Sequence, residues 1–201
     1  MSQRNVVRSL PIALVLGSAL FVSGCATGPN ANPKDPLEPM NRSISRFNDT
    51  VDDNVLKPAA TGYRDYTPDL VQKGVSNFFR NLSDVWSTVN NGLQLKGRET
   101  AESGMRVVVN TVFGIYGIFD VASEIKLQRH PEDFGQTLGY WGVPSGPYVV
   151  LPLLGPSTVR DAASIPADTT GDFVRHHDDV PVRNTVMGVR IADKRVSLLQ
   201  A

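Results

Sequence analysis

Val107 to Ala122 reads VVVNTVFGIYGIFDVA, and the fold turns on how these sixteen residues are disposed. Asp120 is the single charge, and Asn110 and Thr111 are the polar positions. A helix on the surface of a globular protein shows an apolar stripe and a polar face; this segment has almost no polar face. As a straight helix it would be about 24 Å long, short of the ~30 Å hydrocarbon core of a bilayer. Gly114 and Gly117 sit at its centre, each weakening a helix by up to about 1 kcal/mol against Ala. The expectation is two short apolar arms bent at a glycine pair. Such a hairpin either dips into a membrane or forms the centre of a helical core. Phe113, Tyr116 and Phe119 suit both settings. Burying four or five apolar side chains from each of two or three such helices, at about 1.5–3 kcal/mol apiece, is worth tens of kcal/mol in lipid or in protein. Energy alone does not choose between the two.

The flanking sequence is helical in period. Asp35, Pro36 and Glu38 resemble an N-cap, a first-turn proline and the third member of a capping box. Leu37, Met40, Ile44, Phe47, Val51 and Val55 follow at helical intervals as one stripe, with Pro39 pulling the start toward itself and Lys57-Pro58 expected to end the helix. Thr67-Pro68 opens a second helix whose broad apolar face runs from Val71 through Val75, Phe78, Phe79, Leu82, Val85, Trp86 and Val89 to Leu93, with Asn90-Asn91-Gly92 as its stop. A third spans about 98–113 through Met105, Val108, Val109 and Val112. Shorter helices are expected at 131–141, 157–164 and 181–200. Pro144, Pro147, Pro152 and Pro156 forbid a regular helix over 142–156, which reads as an extended, rigid, apolar stretch. The class is mainly α.

The first residues are not part of that fold. Arg4 and Arg8 precede an uncharged apolar run, Leu10 to Val22, and Val22-Ser23-Gly24 leads into Cys25, the only cysteine. This is the pattern of a secretory signal ending in a bacterial lipobox. Thirteen apolar residues span about 20 Å as a helix, too short for a transmembrane anchor. The expected organisation is therefore a signal peptide over 1–24, lipidation at Cys25, a flexible tether over 25–34, and a single helical domain over 35–201. Ala rather than Asp at position 26 favours, by analogy with enterobacterial sorting, export to the outer membrane.

Composition narrows the function. The 201 residues carry 20 basic and 20 acidic side chains, so no basic field exists to hold nucleic acid. Three histidines and one cysteine exclude a disulfide scaffold, a zinc finger and an iron–sulfur protein. His176-His177-Asp178-Asp179 could suggest a metal, but adjacent histidines point apart on a helix, and a solvated loop ending at Pro181 fits better. His130, before Pro131 and Glu132-Asp133, reads as part of a helix start. No Gly-x-Ser-x-Gly elbow, His-Glu-x-x-His or phosphate-binding glycine loop is present, so no catalytic, metal or cofactor site is expected.

Four stretches together resemble the VacJ/MlaA family of outer-membrane phospholipid-transport lipoproteins. They are Asp35-Pro-Leu-Glu-Pro-Met-Asn-Arg42 with Phe47-Asn48; Tyr63-Arg-Asp-Tyr-Thr-Pro68 with Gly74-Val-Ser-Asn-Phe-Phe-Arg-Asn-Leu82; Asn110 to Ala122; and Phe134-Gly-Gln-Thr-Leu-Gly-Tyr-Trp-Gly142 through Gly146-Pro-Tyr-Val-Val-Leu-Pro152 to Arg160-Asp161. They stand in the family's order across about 35–190. Two departures are the Pro39-Met40 pair, where a Gly and an aromatic are expected, and the chain end at Ala201, where family members continue with another helical stretch.

The resemblance implies an all-α, ring-like protein with a glycine-containing apolar hairpin, lying in the inner leaflet of the outer membrane and enclosing an amphipathic channel. It implies removal of misplaced phospholipids from the outer leaflet and their transfer to a soluble periplasmic carrier linked to an inner-membrane ABC complex. Trimeric porins are the implied docking partners. The site residues expected on this basis are Phe113, Gly114, Tyr116, Gly117 and Phe119 of the hairpin and Asn41, Phe47 and Asn48 of the opening helix. Lipid contact is expected at Phe47, at 107–122 and along Tyr148 to Leu154. Larger residues at Gly114 or Gly117 are expected to alter lipid passage more than folding. A structural or tethering lipoprotein is the alternative; without its anchor it would be water-soluble, whereas a channel would still require detergent.

Overall fold

The computed structural model describes residues 36–199, so the expected leader, Cys25 and the tether lie outside the described residues. These residues fall into two compact units. One holds the residues up to Asn48 together with Gly146–Val159; the other holds Asp49–Ser145 and the residues from Arg160 on. The larger is built almost wholly from helices, as the periodicity predicts.

The smaller unit pairs the start of a helix with a hairpin. Helix α1, Glu38–Val51, begins one residue before Pro39, where a proline in the first turn leaves no backbone bond unmade. The proline-rich stretch is extended as expected, but two pieces of it pair: β1, Tyr148–Leu151, runs antiparallel to β2, Gly155–Thr158. The weak alternation of this segment hid the pairing. Asn41 and Asn48, two helical turns apart, bind the hairpin to α1 through their carboxamides. Asn41 donates to the Tyr148 carbonyl (3.2 Å) and accepts from the Val150 N–H (2.8 Å). Asn48 does the same with the Leu151 carbonyl (2.9 Å) and the Leu153 N–H (2.8 Å).

In the larger unit the predicted stop at Lys57-Pro58 is overturned. Residues Asp52–Leu56 widen into a π turn, and the Lys57 N–H bonds the Asp52 carbonyl five residues back. Helix α2, Lys57–Tyr66, then starts with Pro58 in its first turn, where its missing N–H is not needed. Thr67-Pro68 does open the next helix, α3, Asp69–Leu93. A short connection with Leu95 in the left-handed region (φ 58°) turns the chain into α4, Gly97–Val112. So brief a link makes α3 and α4 antiparallel neighbours. Small residues let them approach: a Cβ on Gly104 would sit 3.5 Å from Thr88. Helices α5 (Val121–Glu124), α6 (Phe134–Tyr140), α7 (Val159–Thr170), a 3₁₀ turn (Phe173–His176) and α8 (Val180–Leu199) complete the fold. Helix α8 is tied to the π turn by a bidentate Arg195–Asp52 pair, both bonds 2.7 Å.

Burial runs opposite to a water-soluble core. The buried apolar side chains among the described residues are small: Ala60, Val109, Ala122, Val150, Val174 and Val196. The largest fully buried side chains are Gln94, Asn90, Asn91, Asp84 and Ser103. The broad apolar face read on α3 lies largely outward, with Val71, Phe78, Val89 and Leu93 exposed. On α4, Met105, Val108 and Val112 are exposed while Ser103, Arg106 and Asn110 are buried. Among the described residues, no helix is long and apolar enough to cross a membrane.

Candidate lipid-contacting site

The segment read as two short apolar arms is the end of helix α4 followed by a tight loop that contains Gly114 and Gly117. Helix α4 ends at Val112, and the chain then doubles back so closely at Gly114 that a Cβ there would collide with the Phe119 and Asn110 carbonyl oxygens. Ile115 and Tyr116 then take left-handed φ of 51° and 55°, and Gly117 a φ of 90°. For a β-branched residue such as Ile115 that conformation is a strained outlier, the kind retained where surrounding bonds over-determine it. Those bonds are present. The Tyr116 N–H binds the Thr111 carbonyl (3.0 Å), Gly117 N–H the Asn110 carbonyl (2.8 Å), and Phe119 N–H the Gly114 carbonyl (2.8 Å).

A buried polar base holds the loop from below. Arg106, only 3% exposed, donates to both Asp120 oxygens (2.9 and 3.1 Å), to Ser123 Oγ (3.2 Å) and to the Leu127 carbonyl (2.7 Å). Its Nε faces Asp84 at 3.5 Å, and Asp84 is also bound by Arg129 at 2.6 Å. Asn110 donates to Asp120 (3.1 Å) and accepts from the Ala122 N–H (2.8 Å). Asn77 and Asn81 reach across from α3 to the Ile118 carbonyl (3.1 Å) and Thr111 Oγ1 (3.1 Å). Burial pushes the Asp120 carboxyl up, but hydrogen bonds from Ser123 and Asn110 and the Arg106 charge outweigh it and hold the group below its ordinary range.

With its polar groups satisfied inward, the loop turns its apolar side chains outward. Phe113 is 70% exposed, Tyr116 73% and Phe119 57%, with Ile115 and Ile118 beside them. Of the hairpin residues singled out from sequence, Phe113, Tyr116 and Phe119 thus share one exposed tip, and Gly114 and Gly117 shape it. A Cβ on Gly117 would come within 2.6 Å of the Asn81 side chain. A side chain at Gly114 would press on backbone and move the loop, whereas at Gly117 it would press on the Asn81 side chain. In the smaller unit, Asn41 and Asn48 position the β-hairpin, while Phe47 is exposed, as are Tyr148, Leu153 and Leu154; Val150 is buried.

Beside the loop, α3, residues Ile118–Asp120 and α8 enclose a groove of about 730 Å³. Leu70, Val71, Phe78, Phe79, Ile118, Phe119, Val186 and Val189 give it an apolar lining, with Lys73 at its wall. Its size is within the range of small-molecule pockets. His130 is hydrogen-bonded to Glu102 (2.6 Å), and Asp133 caps α6 through the Gln136 N–H (2.7 Å), so the helix read over 131–141 starts three residues later than expected. His176 lies in the 3₁₀ turn and His177 after it.

Arg106, Asp84, Asn81 and Asn110, which hold the site, were not singled out by sequence reading. A signal for them exists: Asn81, Asp84, Ser87, Asn91 and Gln94 recur at intervals of three and four in α3 and the turn after it, as do Ser103, Arg106 and Asn110 in α4. This is a polar stripe at helical period, the mirror of the apolar one.

Helices with buried polar stripes and exposed apolar faces define the class: a mainly helical protein whose polar side chains face inward and whose apolar ones face outward. The family model described as MlaA lipoprotein matches residues 33–201, and the chain belongs to that family. It is 40% identical over 161 residues, 78% of this chain and 64% of the relative, to the intermembrane phospholipid transport system lipoprotein MlaA of Escherichia coli. The protein of the same description from Haemophilus influenzae is 32% identical, covering 81% of this chain and 68% of its own. An uncharacterized protein of Rickettsia typhi is 42% identical over 127 residues, and the chain spans 51% of its length. A solved structure from work on the structural basis for maintenance of bacterial outer membrane lipid asymmetry superposes with a TM-score of 0.71 at 36% identity, covering 83% of this chain and 85% of that one.

Proposed function

We propose that this chain is a non-enzymatic phospholipid-handling lipoprotein of the outer membrane, anchored through Cys25 and facing the periplasm. It takes misplaced phospholipids from the outer leaflet through a polar passage between its helices and passes them to a soluble periplasmic carrier served by an inner-membrane ABC complex. Trimeric porins are its docking partners. The observation that carries this reading is the inverted burial: charged and amide side chains inside, aromatic and aliphatic ones outside. Moving a phospholipid requires a polar route for the headgroup, since stripping a charge into hydrocarbon costs many kcal/mol, while the acyl chains stay in apolar surroundings. The exposed loop tip and the apolar groove offer the acyl chains their surroundings, and the polar stripes carried on the inward sides of α3 and α4 put polar groups between the helices, where the passage is proposed to run. No bond is made or broken, so the site needs no nucleophile or general base. The names of its relatives support the same reading.

Cells lacking this chain are expected to accumulate phospholipid in the outer leaflet and become sensitive to detergent, measured by surface-specific lipid labelling. Restoration by the intact gene and not by a Cys25→Ala version is the expected pattern. Unchanged outer-leaflet composition in the deletion would overturn the proposal.

A further inference from the structure

Helix α8 has two unlike sides. Thr185, Val186 and Val189 wall the apolar groove, whereas Arg183, Asn184, Met187 and Ile191 line a separate cavity of about 600 Å³. Arg175 and His176 enter that cavity from the 3₁₀ turn. Its charge is one-sided. Arg175 makes a single bond to Asp172 (3.2 Å), a carboxylate already held by both guanidinium nitrogens of Arg190 (3.0 and 2.6 Å). Arg183 gives one N–H to the His177 carbonyl (3.3 Å) and has no carboxylate partner among the described residues. Asp178 is exposed, and Asp179 is engaged as the cap of α8, accepting from the Val182 N–H (2.9 Å). His176 donates through Nδ1 to the Asp172 carbonyl (2.9 Å), which fixes the ring at the cavity wall.

We propose that this cavity binds the phosphate oxyanion of a lipid headgroup, with Arg183 and Arg175 as its guanidinium donors. The ligand chemistry is a phosphate. Guanidinium forks match phosphate geometry and make charge-assisted bonds roughly twice as strong as neutral ones. The apolar floor of Met187 and Ile191 selects a phosphate attached to a lipid over the free ion. This assignment rests on the phospholipid-handling reading and gives it a headgroup contact.

The test uses the full chain in mild detergent, titrated in three arms with a short-chain phosphatidylglycerol, the matching short-chain diacylglycerol without phosphate, and inorganic phosphate. For the Arg175→Gln/Arg183→Gln double variant, phosphatidylglycerol affinity is expected to fall about tenfold or more, with Arg183→Lys falling less and diacylglycerol binding unchanged. Inorganic phosphate is expected to bind far more weakly than the phospholipid. Undiminished phosphatidylglycerol affinity in the double variant would overturn the site while leaving lipid binding intact. Equal affinity for inorganic phosphate, lost in the same variant, would overturn the headgroup assignment in favour of a free anion. A wild-type protein that binds neither lipid would sink the phospholipid-handling reading itself.

Discussion

Arg106→Ala is expected to be among the most damaging single changes in this chain, lowering unfolding free energy by about 3–5 kcal/mol. The side chain is 3% exposed and bridges α4 to Asp84, Asp120, Ser123 and the Leu127 carbonyl. Asp84 keeps Arg129 when Arg106 is gone, so the uncompensated charge falls on Asp120 at the foot of the loop. Chemical unfolding in detergent, followed by circular dichroism, measures the loss. Adding Asp120→Asn should return part of it, because the stranded charge is removed. The pH dependence has a definite sign. A carboxyl held below its ordinary value of 3.8 contributes stability that is complete above that value and lost as pH falls through the depressed one. Without Arg106 the folded-state value rises toward 3.8, so the part of the acid-induced loss of stability that comes from Asp120 should shrink. A variant as stable as wild type would show that the polar base does not hold the loop.

Gly114→Ala is the second large effect. The new Cβ collides with two backbone carbonyl oxygens, those of Phe119 and Asn110, and neither can swing aside as a side chain would. The loop must open, with the Phe119 N–H bond to Gly114 among the first casualties. A loss of roughly 3 kcal/mol is expected, the scale of backbone strain plus overpacking. Gly117→Ala should cost less: its φ of 90° disfavours a side chain, but its nearest neighbour is the Asn81 carboxamide, which can move. Protease nicking at Phe113 to Phe119 and unfolding midpoints together report both variants. Wild-type stability in Gly114→Ala would mean the loop takes another conformation.

Much of this architecture is legible in the sequence, and the failures have physical causes. The helices near 69–93, 97–112 and 180–199 follow from period and from the Thr67-Pro68 start. Pro58 misled because proline is read as a stop, whereas a preceding π turn puts it in a first turn. The apolar stripe of α3 was visible, but a stripe marks only that a face avoids water; it does not say whether protein or lipid covers it. What decides is the opposite stripe, from Asn81 to Gln94, and a single sequence offers no partner for those polar groups until α4 and the 120–137 segment are folded against them. Gly114 and Gly117 were legible as a bend, yet their neighbours Phe119 and Asn81 became apparent only in three dimensions.

The most direct measurement is nitroxide accessibility in lipid nanodiscs, with single spin labels at Tyr116, Leu70 and Met105, three exposed apolar positions on the loop, α3 and α4. Cys25 is the only native cysteine, so each label can be placed uniquely once that residue is acylated. Labels in contact with acyl chains collide more often with dissolved oxygen than with an aqueous nickel complex, and that excess is predicted at all three. A preference for the nickel complex, or protection from both reagents, would place these faces in water or against protein and contradict the account.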